Sequence, residues 1–462
     1  MPDKLTLYHK LPYPLKVAAA SVWGLYLRWW RYGSETKQLV EISLERETWS
    51  LDQWKKWQEE RLAFVLHRAA TQVPYYRNYW QERRRDGDRS SWDLLSNWPI
   101  LDKETLRLQA HAFVADDCNI NKMYADHTSG TTGTPIHIWL KRSTSIQQYA
   151  IFEARIRRWY DVSYKNPWGI FGGQVVIPFS EKKPPFWVRN LSLNQTYFSV
   201  LHIAPCNVQA YIEEIKNGKL THLIVYTNSL YSLACEVPGE LQPIKSKLKV
   251  IFTNAEPLVD FQRKKLQEVF GCPVIETYGM AEMACAASEC RLGKMHWWPE
   301  MGLPEVINDE GEPVKPGDTG RLIATGLLNS DMPLIRYDTK DLTTRPSVDD
   351  HCECKRSLPL AGKFVGRYDD VVITRDGRKI TQLDTIFVPH LLMKEAQIVQ
   401  NTLDDFVIRV VVDDGWTQKD ADFLINELQK RVGNVNVQIK EEKQIERTWA
   451  GKFRIIVSKL NQ

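Results

Sequence analysis

Three short apolar segments decide the fold class of this chain: THLIVY (221–226), LKVIFT (248–253) and PVIET (273–277). Each has the length and residue types of a buried strand, whereas residues 229–235 and 257–270 between them have helical patterns. Helices that alternate with buried strands predict βαβ units and a largely parallel sheet. We therefore expect an α/β protein whose ligand sites lie in the loops that follow the strands.

The length of the chain, 462 residues, predicts more than one domain. Residues 1–365 are expected to form a large α/β domain with parallel-rich sheets, in which residues 1–120 are a mostly helical lead-in. Residues 366–462 are expected to form a small, mobile α+β lid domain. In this domain, strands at 396–400, 406–412 and 435–440 accompany an amphipathic helix at 417–431.

The composition excludes several classes of protein. With a net charge of +4 and 26% charged residues, the chain is nearly neutral. Nucleic-acid binding usually needs a strongly basic segment, so it is not expected here. The apolar stretch 17–27 is too short to span a bilayer, and a packed N-terminal helix is favoured there over contact with a membrane or a partner. Eight cysteines in a chain without an export signal predict reduced thiols and a cytoplasmic location. The sequence leaves open whether the protein forms a homodimer.

A hydroxyl-rich run lies between two strand-like segments: Thr128-Ser129-Gly130-Thr131-Thr132-Gly133-Thr134-Pro135. Two glycines let backbone N–H groups converge, and the hydroxyl groups add donors, which suits the phosphates of a nucleotide. The run is not a Walker A loop, because no Gly-Lys-Ser/Thr follows it. The alternative is a flexible surface loop.

Five further segments follow in order along the chain: Ala255-Glu256-Pro257, Tyr278-Gly279-Met280-Ala281-Glu282, Arg336-Tyr337-Asp338-Thr339-Lys340-Asp341, Gly366-Arg367-Tyr368-Asp369-Asp370 and Gly451-Lys452-Phe453-Arg454. Together with the hydroxyl-rich run, this ordered set resembles the adenylate-forming enzymes, the superfamily of acyl-CoA ligases. The most similar branch is that of phenylacetate–CoA ligase and its relatives encoded with capsular polysaccharide genes. The resemblance covers essentially the whole chain.

The resemblance implies a role for each segment in binding ATP. The run from Thr128 to Gly133 (Thr128, Ser129, Gly130, Thr131, Thr132, Gly133) would hold the phosphates, and Ala255, Glu256 and Pro257 would wall the adenine pocket. Tyr278, followed by Gly279, would stack on adenine, and Asp341 would bind the ribose hydroxyls.

The same resemblance implies catalytic and hinge residues. Glu282 would hold Mg²⁺, Arg367 would reach the nucleotide, and Asp369 would be the hinge between the two domains. Lys452 would reach the reaction centre, where it would stabilise negative charge on the α-phosphate. Lys452 and Glu282 are thus the expected catalytic residues.

The expected reaction joins ATP and a small carboxylic acid into an acyl-adenylate and then transfers the acyl group to coenzyme A. One alternative acceptor is an amine or hydroxyl group, on an amino acid or a sugar, without coenzyme A. A second alternative is an inactive scaffold that still binds a nucleotide.

A set of soft ligands predicts a structural metal site: Cys290, His296, Cys352 and Cys354. Three thiolates and one imidazole suit a closed tetrahedral Zn²⁺ site, and relatives in the resembled branch carry a comparable set. His351 is a rival of His296, and Cys285 a rival of Cys290; four unrelated residues are the remaining alternative. The expected role of the metal is to link the loop that follows Tyr278–Glu282 to the segment before the hinge.

The acyl pocket is the least determined part of the sequence. Residues 166–173 resemble an aromatic-Gly-Gly region that borders this pocket in the branch, which implicates Phe171, Gly172 and Gly173. His202 and Tyr226 lie at the ends of neighbouring strands and are further candidates. For the aromatic members of this set, packing in the core is the alternative.

Overall fold

The computed structural model describes residues 4–128, 136–347, 350–367, 372–376, 378–380, 383, 386–388, 391–447 and 454–460. Within these ranges the α-helices are α1 Lys4–His9, α2 Tyr13–Arg31, α3 Thr36–Glu45, α4 Leu51–Gln72, α5 Pro74–Arg85, α6 Lys103–Leu108, α7 Arg142–Phe152, α8 Val208–Asn217, α9 Thr227–Cys235, α10 Asp260–Phe270 and α11 Gln418–Val432. The strands are β1 Tyr124–His127, β2 His137–Leu140, β3 Trp168–Gly172, β4 Trp187–Asn190, β5 Gln195–Ser199, β6 His222–Tyr226, β7 Val250–Asn254, β8 Val274–Gly279, β9 Ala286–Glu289, β10 Met295–Trp297, β11 Gly302–Ile307, β12 Thr319–Gly326, β13 Tyr337–Thr344, β14 Phe364–Arg367, β15 Val372–Ile373, β16 Lys379–Ile380, β17 Met393–Gln400, β18 Asp405–Val412, β19 Asn436–Glu441 and β20 Ile456–Ser458.

The central element is an eight-stranded sheet in the order β10-β9-β8-β7-β6-β3-β5-β4. Strands β5, β3, β6, β7 and β8 run parallel, and helices connect β6 to β7 and β7 to β8. Leu223, Ile251 and Val274 are fully buried in these strands, as expected for a parallel sheet covered on both faces. The α/β prediction is therefore confirmed.

One helix boundary differs from the prediction. The pattern places a helix start at Pro257, but α10 begins at Asp260. The residue before it, Val259, is extended, and the N–H of Leu258 lies 3.4 Å from the carboxylate of Glu276. The chain therefore crosses the end of the sheet before it turns into the helix.

Helices, turns and one isolated β-bridge at Leu101 precede β1 in the described part of the N-terminal segment, in agreement with the predicted, mostly helical lead-in. Two arginines of α4 connect this segment to the loop between β12 and β13. Arg61 donates to the carbonyl of Leu327, and Arg68 donates to the carbonyl of Ser330. The helical segment thereby fixes a loop that leads into β13.

A second sheet, antiparallel and four-stranded in the order β11-β12-β13-β14, packs against the loop that follows β8. A Cβ at Gly302 would lie 1.8 Å from the carbonyl oxygen of Ala284, so only glycine allows the two backbones to approach this closely. The sequence predicts hairpins over 320–345, and β12 and β13 form one.

The C-terminal part contains a four-stranded sheet in the order β19-β18-β17-β20, with α11 beside it. The predicted strands and helix are confirmed within a few residues at their ends. This part contacts α9, because Ser232 donates to Glu395 at 2.8 Å and Arg447 pairs with the same carboxylate. The domain boundary near residue 366 and the mobility of the C-terminal part stay predictions.

A buried ion-pair network joins the N-terminal helices to the first sheet. Arg155 is 0% exposed and pairs with Glu47 at 2.7 Å and with Glu300 at 2.6 Å. Glu47 also accepts from the indole of Trp159 and from Arg356. Loss of one partner from such a network leaves an uncompensated buried charge, which costs more than the pair contributes.

Replacement of Arg155 by methionine should therefore destabilise the protein strongly, by about 3–5 kcal/mol, because it removes the ion pair of the buried Glu300 and one of the two arginines that pair with Glu47. The matched control is Arg158→Met, which removes a pair with Glu41 from a side chain that is 45% exposed and should cost about 0–1 kcal/mol. Thermal and urea unfolding, followed by tryptophan fluorescence, compare the two variants. Equal midpoints for the two would show that the buried network is not a main source of stability.

Candidate active site

Strained backbone occurs in the loops that follow β7 and β8 and around the start of β13. Ala255, Met283, Arg336 and Lys340 have φ values of 66°, 56°, 47° and 65°, which non-glycine residues rarely adopt. Such strain persists only where the surrounding structure imposes it, and it is often found at functional sites. All four residues lie in or beside the segments that the sequence singles out.

Tyr278, at the end of β8, is held on three sides. Its ring stacks on Phe364 with centroids 3.9 Å apart, and the ring of Trp297 meets it edge-on. Its hydroxyl donates to Asp341 Oδ2 at 2.6 Å. Burial and the neighbouring Asp341 raise the pKa of Tyr278 well above its ordinary value, so the hydroxyl stays a neutral donor.

Asp341 lies opposite Arg367 in the register of β13 and β14, with Oδ1 at 3.7 Å from the Arg367 Nε. Burial raises the pKa of Asp341, and the charge of Arg367 and the bond from Tyr278 oppose this increase. A carboxylate with one cation and one hydroxyl donor beside it can accept further hydrogen bonds from two neighbouring hydroxyl groups of a ligand.

Glu282 lies in the loop between β8 and β9, where its carboxylate is buried. Its Oε1 accepts from the hydroxyl of Tyr337 at 2.8 Å and pairs with Lys103 at 3.3 Å. Asp341 is close enough for its pKa to be affected by the charges of Glu282 and Lys103. The structure therefore brings Tyr278, Glu282 and Asp341 into one site.

The segment Ala255–Pro257 also has a structural task. The carboxylate of Glu256 accepts from the backbone N–H of Asn228 at 2.9 Å, in the first turn of α9. The hydroxyl of Thr227 donates to the carbonyl of Glu256. These bonds satisfy donors at the start of a helix and fix the loop beside the end of β7.

Thr128 closes the base of the hydroxyl-rich run. Its N–H donates to the carbonyl of Ile136, and its hydroxyl accepts from the N–H of Ile136 at 3.0 Å. These bonds join the ends of β1 and β2, which pair as an antiparallel hairpin. Ser129, Gly130, Thr131, Thr132 and Gly133 lie outside the described residues, as do Asp369 and Lys452.

The residues proposed for the acyl pocket divide into two groups. The backbone N–H of Gly173 bonds to the hydroxyl of Tyr226, and a Cβ at Gly172 would lie 2.6 Å from the hydroxyl of Tyr197. Gly172, Gly173 and Tyr226 therefore lie together, beside Glu256.

Phe171 and His202 lie in the apolar core. Phe171 is fully buried and stacks on Phe198, and the ring of His202 stacks on Phe186 with its Nδ1 2.7 Å from Ser199 Oγ. Their positions favour packing over contact with a substrate, which is the alternative that the sequence leaves open.

The four candidate zinc ligands converge. The ligand atoms of Cys290, His296, Cys352 and Cys354 all lie within 4.8 Å of one another. The Sγ atoms of Cys290 and Cys352 are 3.6 Å apart, and Cys354 Sγ is 3.5 Å from His296 Nε2. The rivals Cys285 and His351 are not members of this group.

The orientation of His296 suits a metal ligand. Its Nδ1 lies 3.1 Å from the carbonyl of Leu358, and because a carbonyl can only accept, Nδ1 carries the proton. The lone pair of Nε2 then points toward the thiols, which is the arrangement that a neighbouring carbonyl imposes on metal-binding histidines.

A second group of possible ligands carries its own cations. Asp117, Cys118 and Asp331 lie close together, but Asp331 pairs with Arg68 at 2.9 Å and with Lys141 at 2.8 Å. These two cations neutralise the group, so it is an ion-pair cluster.

Sequence reasoning missed two residues of the site, Lys103 and Phe364. Lys103 begins α6, more than a hundred residues before Glu282, and no pattern in its neighbourhood connects it with a nucleotide. Phe364 lies just before the Gly366–Asp370 segment, and the pairing of β14 with β13 brings it beside Tyr278. Tyr337 lies in the Arg336–Asp341 segment, whose resemblance implies a role for Asp341 alone.

Two families match parts of the chain. The AMP-binding enzyme family matches residues 191–330, which include β6, β7, β8 and the Tyr278–Glu282 loop. The CapK C-terminal domain matches residues 372–459, which include the four-stranded sheet around β17 and β18.

Curated relatives match over most of their length. Protein CapK of Staphylococcus aureus is 23% identical over 408 residues, which cover 84% of this chain and 85% of that protein. The phenylacetate-coenzyme A ligase of Thermus thermophilus is 26% identical over 445 residues, which cover 86% of this chain and 93% of the relative.

Solved structures agree on the fold. A 2-hydroxyisobutyryl-CoA ligase in the postadenylation state, in complex with R3-HIB-AMP, superposes with a TM-score of 0.70 at 21% identity and covers 90% of this chain and 92% of that one. The anthranilate CoA ligase AuaEII, in complex with anthranoyl-AMP, gives a TM-score of 0.54 at 13% identity, covering 74% and 67%. With Tyr278, Glu282 and Asp341 in one site, the two family matches and the curated relatives support membership of the superfamily of adenylate-forming ligases, in the branch of phenylacetate-CoA ligase and CapK.

Proposed function

We propose that this protein uses ATP to activate a small carboxylic acid as an acyl-adenylate and then transfers the acyl group to coenzyme A. The observation that carries the proposal is the convergence of Tyr278 and Asp341 with Glu282 at the ends of the parallel strands. One aromatic ring and two carboxylates match the three parts of ATP that need different chemistry: base, ribose and phosphate-bound cation.

Tyr278 and Phe364 form the aromatic side of the nucleotide site. Phe364 covers one face of Tyr278, and the adenine ring would stack against this aromatic pair. Asp341 accepts from the ribose hydroxyls, and Arg367 keeps this carboxylate charged when the site is closed from water.

Glu282 is the ligand that we propose for Mg²⁺. A buried carboxylate is a hard oxygen ligand, and the hydroxyl of Tyr337 orients it by donating to Oε1. When bound, the ion supplies positive charge against the phosphates. Lys103, which pairs with the same carboxylate, supplies a second positive charge to this corner of the site.

The chemical step is attack of the acid's carboxylate oxygen on the α-phosphorus, with pyrophosphate as the leaving group. Negative charge increases on the α-phosphate, and Lys452 is the residue proposed to stabilise it. Lys452 lies outside the described residues, so its part rests on the resemblance of the Gly451–Arg454 segment to the C-terminal motif of the family.

ATP–pyrophosphate exchange tests the proposal directly. Aryl acids, amino acids and uronic acids are screened in parallel, because the sequence and the site do not specify the acid. Exchange that depends on one of these acids supports adenylation. Measurable ATP binding without exchange for any acid in the screen would instead favour the inactive scaffold.

Substitution of Glu282 by glutamine should lower the rate of exchange by about 100-fold, because the variant keeps the shape of the side chain and loses a charged ligand. Glu310→Gln is the matched control, since Glu310 is exposed in a surface turn and should exchange at the wild-type rate. Equal exchange rates for the two variants, both melting at the wild-type temperature, would show that Glu282 takes no part in the exchange reaction.

The acceptor is tested separately, because the family that matches residues 372–459, the CapK C-terminal domain, does not identify it. An amine or a hydroxyl group, without coenzyme A, is the second candidate acceptor. AMP release that requires coenzyme A supports the thioester. Turnover with an amino acid or a sugar in the absence of coenzyme A supports the alternative.

We also infer that Cys290, His296, Cys352 and Cys354 hold a structural Zn²⁺. Tetrahedral ligands at about 2.3 Å from zinc lie about 3.5–3.8 Å apart, which agrees with the separations of 3.6 Å and 3.5 Å in this group. All four protein ligands are present, so the site has no open position for water and is structural.

The purified protein should contain about one zinc ion per chain by elemental analysis, and Cys352→Ser should lose the metal and melt at a lower temperature. Cys206→Ser is the matched control, because Cys206 is exposed and outside the group. His296→Ala should also lose the metal, whereas His351→Ala should keep it. A stable wild-type protein without zinc would overturn this inference.

A further inference from the structure

Helix α2 has an apolar face that points away from the protein. Its exposed residues recur every three or four positions, and the apolar members of this face are Leu15, Ala18, Val22, Leu25, Tyr26 and Trp29. Val22 is 68% exposed and Leu25 is 59% exposed. An amphipathic helix on a protein surface normally buries such a stripe, so an outward apolar stripe indicates an interaction surface.

The opposite face of α2 is fixed to the edge of the first sheet. A Cβ at Gly24 would lie 2.0 Å from Asn190 Oδ1, so the helix touches β4 at van der Waals distance. The carbonyl of Ser21 accepts from the hydroxyl of Ser192, and Trp30 is buried. This packing prevents the helix from turning its apolar stripe inward.

Neighbouring segments extend the same surface. Leu191 is exposed and is held beside Val22, because its N–H donates to the hydroxyl of Ser21. The imidazole of His9, at the end of α1, contacts the carbonyl of Val175, which places α1 beside the loop that carries the exposed Phe179. We call the α2 stripe, with Trp23, Leu191 and Phe179, the N-terminal apolar surface.

The charges of this region are almost all positive. Between Lys4 and Ser34 the sequence has five lysines and arginines and no aspartate or glutamate. Of these, Lys10 and Arg28 are exposed. Lys182 and Lys183 follow Phe179 and outnumber the neighbouring Glu181.

We propose that the N-terminal apolar surface binds a lipid bilayer that contains anionic lipids, with α2 lying along the membrane–water interface. Tryptophan and tyrosine favour this interface, and Trp23, Tyr26 and Trp29 all lie on or beside the stripe. Lys10 and Arg28 supply the attraction to anionic headgroups. No α-helix in the described ranges is both long and apolar enough to cross a bilayer.

A bilayer suits this surface better than a second copy of the chain does. Two copies joined through α2 would bring together two 4–34 segments, each of which has five lysines and arginines and no carboxylate to pair with them. Anionic headgroups supply the missing charge.

The test is co-sedimentation of the full chain with vesicles of phosphatidylcholine, with and without phosphatidylglycerol. The wild-type protein should bind the anionic vesicles, and binding should fall at high salt. Val22→Ser/Leu25→Ser should bind at least tenfold more weakly. The matched control is Leu94→Ser/Leu108→Ser, which replaces two leucines that are 60% and 73% exposed outside this surface and should bind like the wild type.

Two results would overturn the proposal. One is a wild-type protein that does not sediment with anionic vesicles. The other is equal binding by the two double variants. Light scattering coupled to size exclusion identifies the rival occupant: a wild-type dimer that dissociates in Val22→Ser/Leu25→Ser, without vesicle binding, would assign the surface to self-association.

Discussion

The candidate site depends on one hydrogen bond between two sheets. Tyr278 belongs to the end of β8 in the eight-stranded sheet, and Asp341 belongs to β13 in the four-stranded sheet. Their bond of 2.6 Å, together with the bond from Tyr337 to Glu282, fixes the position of one sheet against the other. Tyr278 and Glu282, at the end of β8 and in the loop after it, meet Asp341 from a distant part of the chain because the two sheets join at this point.

The Cys/His group joins the same two sheets at another place. Cys290 and His296 lie beside β9 and on β10 of the first sheet, whereas Cys352 and Cys354 lie between β13 and β14 of the second. The chain runs from these cysteines to Phe364, which stacks on Tyr278, and the backbone of Pro359 bonds to Trp297 on the way. The Cys/His group is therefore connected through the backbone to Phe364 and, by stacking, to Tyr278.

The sequence predicts the parts of the site that lie next to a recognisable pattern. Tyr278, Glu282 and Asp341 each lie in a quoted segment, and the buried strand patterns before Tyr278 place it at a strand end. Lys103 and Phe364 reach the site through helix packing and strand pairing, which depend on contacts far apart in the chain and leave no local pattern. The exposure of the α2 stripe could not be predicted from the sequence either, because an apolar helix face has the same residue pattern whether it is buried or exposed.

The order of strands in the first sheet separates the two surfaces that matter. Helix α2 packs on β4 at one edge of the sheet, whereas Tyr278 ends β8, five strands away. At about 4.8 Å between neighbouring strands, this separation is about 24 Å. A bilayer that contacts α2 would therefore lie at the far edge of the sheet from the loops after β7 and β8, which carry the candidate nucleotide residues. Attachment at one edge and chemistry near the other are compatible in a single rigid sheet.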